Sequence, residues 1–181
     1  MIINIIGGCE NLWLAQAELN KLIQKYLSIL DPAEDELHSC ATMYGICEAA
    51  SSAAKRFGFR IEGYAPSVAV QQKLLDLSYQ RITIIKGDWG DEVLPCIEEF
   101  ERRGKQLYLT ICFNGGRITK IFAEELIERN FAILLIAGSK RVTDELIGIY
   151  GHKPNVFVAD LNNVRQIHQI ILNWRAKLES I

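Results

Sequence analysis

The residues with the most obvious chemistry fall in one short stretch, 138–145, which reads GSKRVTDE. It combines a glycine and a hydroxyl with two cations and two carboxylates. An unbroken apolar run at 131–136 precedes it, and an amphipathic segment with Leu146, Ile147 and Ile149 follows it. This order predicts a buried strand, a tight turn and the start of a helix. Such a junction directs backbone N–H groups and the positive end of a helix dipole at one place, which suits an anion, although an ordinary strand-to-helix connection has the same pattern.

The ends of the other predicted strands carry similar residue types. Glycines, hydroxyls and cations gather there, and in a parallel sheet all of these ends lie along the edge where ligands bind. Turn formation alone also favours some of these residues, so the pattern favours a small-molecule site without requiring one. The strand-end segments are Gly7 and Gly8, then 40–45, Pro66, 86–90, 114–117 and 138–145.

Strand and helix patterns alternate along the whole chain, with about seven strands. Sequential strand–helix units require right-handed crossovers, so we expect a Rossmann-like, doubly wound α/β fold, with a mostly parallel sheet and helices on both faces. No linker divides the chain, and residues 1–181 are therefore predicted to form a single domain. The first helix is expected to begin after an N-cap at Asn11 and to end before Asp31.

Composition and charge argue against several classes of partner. The formal net charge is -2 at pH 7, which gives no electrostatic basis for binding nucleic acid or an anionic membrane. No apolar run approaches the roughly 20 residues that span a bilayer, and the residues after Met1 do not have the pattern of a signal peptide. A cytoplasmic protein is therefore expected.

The five cysteines have neither paired spacing nor the spacing of metal ligands, so they are predicted to be free thiols. Cys40 follows His38 by two positions, which can indicate a thiol nucleophile, but a small buried thiol at a strand end is the favoured interpretation. No metal and no cofactor is predicted. The cysteines are Cys9, Cys40, Cys47, Cys96 and Cys112.

Four motifs, taken together in their order, resemble those of the SLOG superfamily, also called LSDAT. Residues 40–46 (CATMYGI) keep the threonine and the later glycine of the family pattern GGTxxGV, and residues 61–66 (IEGYAP) are similar to its IGVAP. Residues 138–144 (GSKRVTD) match GSGRxxD with one glycine changed to lysine, and residues 114–116 (NGG) lie where members carry a glycine pair. The superfamily joins the LOG phosphoribohydrolases, the DprA/Smf proteins and the N-terminal region of TRPM channels. The likeness favours its prokaryotic stand-alone, TRPM-like members.

The resemblance implies a sensor-type domain that binds a nucleotide-derived small molecule, such as ADP-ribose or an NAD-like ligand, without strong catalysis. It implies that Arg141 pairs with phosphate and that Ser139 completes the cradle. Asp144 or Glu145 would accept from a ribose hydroxyl, or would only complement the helix dipole. Family members also self-associate, so a homodimer is expected. The predicted ligand-binding residues are Gly7, Gly8, Thr42, Gly45, Asn114, Gly115, Gly116, Gly138, Ser139, Lys140, Arg141 and Asp144.

Two alternatives stay open at the level of sequence. The first is a LOG-like nucleoside-monophosphate phosphoribohydrolase or N-glycosidase, in which Glu145 stabilises an oxocarbenium-like ribosyl centre. The LOG motif PGGxGTxxE is only partly kept in residues 137–145 (AGSKRVTDE), which retain the first glycine and the glutamate position. The second alternative is an oligomeric interaction protein with a vestigial pocket.

Overall fold

The computed structural model describes residues 1–8 and 14–180 of the chain. Cys9 and the predicted N-cap Asn11 lie outside these residues. In the described part, seven strands form one sheet in which every pairing is parallel, as the alternating pattern predicted. The strands are β1 (Ile2–Gly7), β2 (Glu36–Cys40), β3 (Arg60–Pro66), β4 (Arg81–Ile85), β5 (Tyr108–Phe113), β6 (Ala132–Ala137) and β7 (Val156–Asp160).

Seven α-helices alternate with these strands in the described residues. None of them is both long and apolar enough to cross a lipid bilayer. Lys105–Leu107 form a 3₁₀ turn immediately before the strand Tyr108–Phe113. The helices are α1 (Gln16–Leu27), α2 (Gly45–Phe57), α3 (Ser67–Gln71), α4 (Val93–Arg103), α5 (Arg117–Glu128), α6 (Val142–Tyr150) and α7 (Val164–Glu179).

The strand order is β4-β3-β2-β1-β5-β6-β7. The chain moves outward from β1 to β4 on one side, crosses to β5 on the other side of β1, and continues outward to β7. The direction therefore reverses between β1 and β5, which pair from Ile2 and Tyr108 to Gly7 and Phe113. In open α/β sheets a crevice forms at such a switch point, beyond the carboxyl ends of the strands.

Alternating side chains of β1 divide the core into two layers. Ile3 and Ile5 pack with residues of α1, α2 and α7, whereas Ile2 and Ile6 pack with residues of α4, α5 and α6. Helix α2 can lie close to β1 and α1 because the side chains on its buried face are small. These small residues include Ala49, Ala50, Ala53 and Ala54.

Two isoleucines of the helices lie at the surface. Ile121 of α5 is 37% exposed and Ile149 of α6 is 45% exposed. The buried face of α5 contains Thr119, Ala123 and Leu126, which repeat at helical spacing, so residue 121 falls on the other side of the helix.

The prediction of free thiols is wrong for Cys40 and Cys47, which form a disulfide. Cys40 ends β2 and Cys47 lies in the first turn of α2, so the intervening turn brings their Cα atoms to 5.7 Å. That separation is usual for a disulfide. Cys40 is therefore not a free thiol, and it is not the thiol nucleophile that its spacing from His38 can indicate. Cys96 and Cys112 are free and buried, as predicted.

Candidate functional site

A cavity of about 820 Å³ opens at the carboxyl ends of the central strands, between α4 and α5. Asn4 and Ile6 of β1 and Tyr64 of β3 line it from the sheet. Cys96 of α4 and Phe122 of α5 line it from the helices. The cavity therefore lies at the switch point between β1 and β5, where doubly wound sheets bind their ligands. Its volume is in the range of small-molecule sites, about 300–1,000 Å³.

Two glycines at the end of β1 form part of the cavity lining. A Cβ atom on Gly7 would lie 2.5 Å from the carbonyl oxygen of Phe113 and 2.6 Å from Cγ1 of Ile46. No larger residue fits there without moving β5 or α2. Gly8 extends the lining beyond the strand. Gly7 therefore allows β1 to pack closely against its neighbours, and both glycines contribute backbone to the cavity wall.

The N-terminal end of α5 forms a cationic wall of the cavity. Gly116 is the N-cap of the helix and Arg117 is its first residue, and both line the cavity. Arg141 joins them, since a Cβ atom on Gly116 would lie 3.6 Å from its Nη2. The Arg141 guanidinium therefore lies near the first turn of α5, to which Arg117 itself belongs. The backbone N–H groups of that turn have no partner within the helix. Such an arrangement favours phosphate or another anion.

The wall at the start of α4 carries a carboxylate instead. Glu92 is only 7% exposed, and its Oε2 accepts a hydrogen bond from the backbone N–H of Gly90 at 2.8 Å. Burial raises the pKa of the Glu92 carboxyl above its ordinary value, and the charge of Asp91 adds to the increase. Burial also raises the pKa of the Cys96 thiol well above its usual range, so this neighbour is a neutral group at physiological pH.

Two aromatic side chains complete the lining. Tyr44, the N-cap of α2, is 50% exposed, and Trp89 in the loop before α4 is half-buried. Aromatic faces of this kind can stack against a flat heterocycle. The cavity thus combines an aromatic edge, an apolar interior, a cationic wall and one buried carboxylate.

The turn between β6 and α6, where the sequence predicted the anion cradle, is hydrogen-bonded internally. Ser139 is fully buried, and its Oγ donates to the carbonyl of Ile136 at 2.7 Å. The same oxygen accepts from the backbone N–H of Asn114 at 2.9 Å. Asp144 Oδ1 accepts from the backbone N–H of Gly138 at 2.9 Å. These polar groups hold the turn together and join it to the turn after β5.

Glu145 lies on the exposed side of α6. Its carboxylate forms an ion pair with Lys120 of α5, and it does not line the cavity. The structure therefore separates this carboxylate from the space in which a ribosyl group would be enclosed.

A family model described as "SLOG in TRPM, prokaryote" matches residues 1–176. The chain belongs to this prokaryotic SLOG family. The resemblance to the SLOG superfamily is thereby confirmed. No curated protein sequence matches the chain.

Solved structures share the fold of this SLOG chain over nearly its whole length. The structural genomics target TM1055 is 13% identical, with a TM-score of 0.72, over 95% of this chain and 98% of that one. A molybdenum cofactor carrier protein from Chlamydomonas reinhardtii is 14% identical, with a TM-score of 0.67, over 97% and 98% of the two chains. A molybdenum cofactor binding protein from the phototrophic bacterium Rippkaea orientalis is 14% identical, with a TM-score of 0.67, over 95% of each chain. At these sequence identities, the similarity shows a shared fold and no more.

The predicted ligand-binding residues of the SLOG chain divide into two groups. Those that line the cavity are Gly7, Gly8, Thr42, Gly116 and Arg141. Those that do not are Gly45, Asn114, Gly115, Gly138, Ser139, Lys140 and Asp144. Gly45 is instead bonded through its backbone N–H and carbonyl to the side-chain amide of Gln16.

The predicted list of ligand-binding residues omitted several polar or aromatic residues that line the cavity. One of them left a detectable signal, because Asn4 interrupts the apolar run of β1. Its Nδ2 donates to Oγ1 of Thr110 at 3.2 Å, and both side chains are buried. Nothing in the residues that neighbour Glu92 in the sequence reveals its burial. The omitted residues include Asn4, Tyr44, Trp89, Glu92 and Arg117, of which Tyr44, Trp89 and Arg117 lie within the predicted strand-end segments.

A second polar cluster lies on the same side of the sheet, at the C-terminal end of α4. Arg103 donates to Glu36 and to Glu62, each at 3.1 Å, and His38 Nε2 lies 2.6 Å from Glu36 Oε1. Burial alone would raise the pKa of Glu36, but His38 and Arg103 outweigh it and lower that pKa to about 2. The two carboxylates and the imidazole lie close enough together to ligate a cation, but Arg103 already pairs with both carboxylates and Arg60 pairs with Glu62. We interpret this cluster as a structural ion network.

Proposed function

We propose that the chain binds a nucleotide-derived small molecule, such as ADP-ribose or an NAD-like ligand, in the cavity between α4 and α5. The proposal depends on one observation, the pairing of Arg117 and Arg141 with the N-terminal end of α5 beside an apolar slot over the sheet. The phosphate would lie against the guanidinium and backbone N–H groups, and the heterocycle would enter the slot. A cavity of about 820 Å³ accommodates a ligand of this class.

The predicted site residues take different roles in this proposal. Gly7, Gly8 and Gly116 would let the backbone approach the ligand closely, and Thr42 would offer a hydroxyl at the end of β2. The residues of the β6–α6 turn would act indirectly. Their internal hydrogen bonds would fix the turn that carries Arg141 into the cavity wall.

A LOG-like phosphoribohydrolase has less support. The carboxylate that this reaction would use, Glu145, is paired with Lys120 and does not line the cavity. A binding role without strong catalysis is therefore preferred. An interaction protein with a vestigial pocket is also disfavoured, because the cavity is open and lined by charged groups.

The molybdenum cofactor is a second candidate ligand. The proteins from C. reinhardtii and R. orientalis that share the fold are named as carrying or binding it, and their likeness spans nearly the whole chain. We therefore include this cofactor in the ligand panel.

We also propose that the protein is cytoplasmic and forms a homodimer. Because a reducing cytoplasm disfavours disulfides, the Cys40–Cys47 pair is expected there as two thiols. Alkylation in intact cells followed by mass spectrometry tests the thiol state, and light scattering of the purified protein tests the dimer.

Isothermal titration calorimetry with ADP-ribose, NAD, nucleoside monophosphates and the molybdenum cofactor tests the proposed function. We expect at least one ligand to bind, and Arg117→Ala to weaken that binding by about tenfold or more, as for the loss of a charge-assisted contact. Arg165→Ala is the matched control, because Arg165 is an exposed arginine in the first turn of α7, on the other face of the sheet. Chromatography of the same samples detects any released base. Failure of every ligand to bind would contradict the proposal.

A further inference from the structure

One carboxylate lines the cavity without a cationic partner. Glu92 is only 7% exposed, and among residues 1–8 and 14–180 no lysine, arginine or histidine forms an ion pair with it. Its carboxylate accepts from the backbone N–H of Gly90 and from its own backbone N–H. An ionised carboxylate offers about four acceptor positions. Because a buried carboxylate is costly unless those positions are filled, the ligand is the natural source of further N–H donors.

The surroundings of Glu92 restrict what kind of ligand group can reach it. Tyr64, Cys96, Phe122 and Trp89 line the same cavity and present mainly aromatic or apolar surface. Burial raises the pKa of both the Tyr64 hydroxyl and the Cys96 thiol, so both remain neutral at physiological pH. A slot of this composition suits a flat heterocycle better than a hydroxyl-rich sugar.

Charge is also distributed unevenly around the cavity. Arg117 and Arg141 lie at the N-terminal end of α5, whereas Glu92 lies at the start of α4. A ligand that carries both an anionic group and N–H donors matches this arrangement. A nucleotide has both, in its phosphate and its base.

We infer that Glu92 is a specificity-determining residue that recognises the base of the bound nucleotide and selects guanine over adenine. Guanine presents two adjacent donors, N1–H and the 2-amino group, which a carboxylate can accept with both of its oxygens. Adenine presents the acceptor N1 beside its 6-amino group, so a carboxylate would face one donor and one repelling lone pair. This inference depends on the proposed function, because it uses the same cavity, and it narrows the ligand class. ADP-ribose and NAD carry adenine, so a guanine nucleotide should bind more tightly than either of them.

Calorimetry of the wild-type protein with GMP, IMP and AMP provides the first test. GMP has both donors, IMP keeps N1–H but lacks the 2-amino group, and AMP has an acceptor at N1. We expect affinity to fall in the order GMP, IMP, AMP, with GMP at least about tenfold tighter than AMP, as for one hydrogen bond to a charged group.

The Glu92→Gln variant provides the second test. Its side-chain amide has one acceptor and one donor, so it can pair with N1 and the 6-amino group of adenine, and it can no longer accept from both N1–H and the 2-amino group of guanine. We expect the ratio of GMP to AMP affinity to fall by about tenfold or more. Glu98→Gln is the matched control, because Glu98 is an exposed residue of the same helix that does not line the cavity.

The outcomes separate this inference from the proposed function. Equal binding of GMP and AMP by the wild type, or an unchanged affinity ratio in Glu92→Gln, would overturn the inference while leaving the proposed function in place. Failure of every nucleotide to bind would overturn both. The wild-type series is decisive even where the variant does not fold.

Discussion

The turn between β6 and α6 and the cavity between α4 and α5 contain similar residue types but use them differently. In the turn, Ser139 and Asp144 form hydrogen bonds with nearby backbone groups. In the cavity, Glu92 and Arg117 line an open volume of about 820 Å³. The turn is therefore a closed polar structure, whereas the cavity presents polar groups to a ligand.

The difference shows how side-chain length affects the interpretation of a motif. Short polar side chains beside a glycine readily bond the backbone of their own turn, because an unpaired buried N–H or C=O is costly. Long side chains on the walls of a switch-point crevice can reach a ligand instead. Substitutions in the turn should therefore change mainly the free energy of unfolding, and substitutions in the cavity should change mainly the affinity for the ligand.

The largest change in the free energy of unfolding is expected at Gly115, and its neighbour Gly116 is the control. Gly115 has a φ of +98°, and a Cβ atom there would lie 2.4 Å from Cβ of Thr119. Gly115→Ala should therefore cost about 3 kcal/mol of unfolding free energy through strain and a steric clash. In Gly116→Ala the new Cβ meets only an ordinary contact, so we expect a change below about 0.5 kcal/mol. Urea denaturation measures both, and equal losses would contradict the distinction.

Removal of the Ser139 hydroxyl should give the next largest effect. Ser139→Ala leaves the backbone N–H of Asn114 without this acceptor inside the protein, so we expect a loss of about 2 kcal/mol. Lys140→Ala is the control, since Lys140 is exposed in the same turn. Nucleotide affinity of the folded Ser139→Ala protein should stay within about twofold of wild type. A large loss of affinity with unchanged stability would show that the turn contacts the ligand directly.

Acid should weaken the fold through the ion network at the C-terminal end of α4, away from both regions. The pKa of Glu36 is lowered to about 2, so its contribution is present above the unfolded pKa and is lost as pH falls from about 5 towards 2. After allowance for solvent screening, we expect wild type to lose about 1–2 kcal/mol more than Glu36→Gln over this interval. Urea denaturation at several pH values measures the difference. An equal dependence of the unfolding free energy on pH in wild type and Glu36→Gln would contradict this role for Glu36.

The smallest change in stability is expected at Glu92, where substitution should stabilise the protein. Because burial raises the pKa of Glu92, the folded state binds its proton more tightly than the unfolded state, and the ionised carboxylate lowers stability at neutral pH. Glu92→Gln should therefore raise the unfolding midpoint of the ligand-free protein at neutral pH, and the gain should disappear below the unfolded pKa. Calorimetric unfolding at neutral and acid pH tests this prediction. A lower midpoint in the variant at neutral pH would indicate that Glu92 is a structural residue.

The sequence predicted most of the fold and a smaller part of the candidate site. Apolar periodicity was sufficient for the parallel sheet, because runs such as 131–136 are buried on both faces. The lining by Gly7 and Arg141 followed from their positions at strand ends. The burial of Glu92 and the Cys40–Cys47 disulfide could not be predicted, because both depend on how helices and turns pack in space.

The most direct test of this account is a crystal structure with the tightest ligand among ADP-ribose, NAD and GMP. We expect the ligand between α4 and α5, with its phosphate beside Arg117 and Arg141 and its heterocycle over the sheet. A phosphate bound instead to the backbone of the β6–α6 turn, with the sugar beside Glu145, would contradict the account and favour the LOG-like alternative.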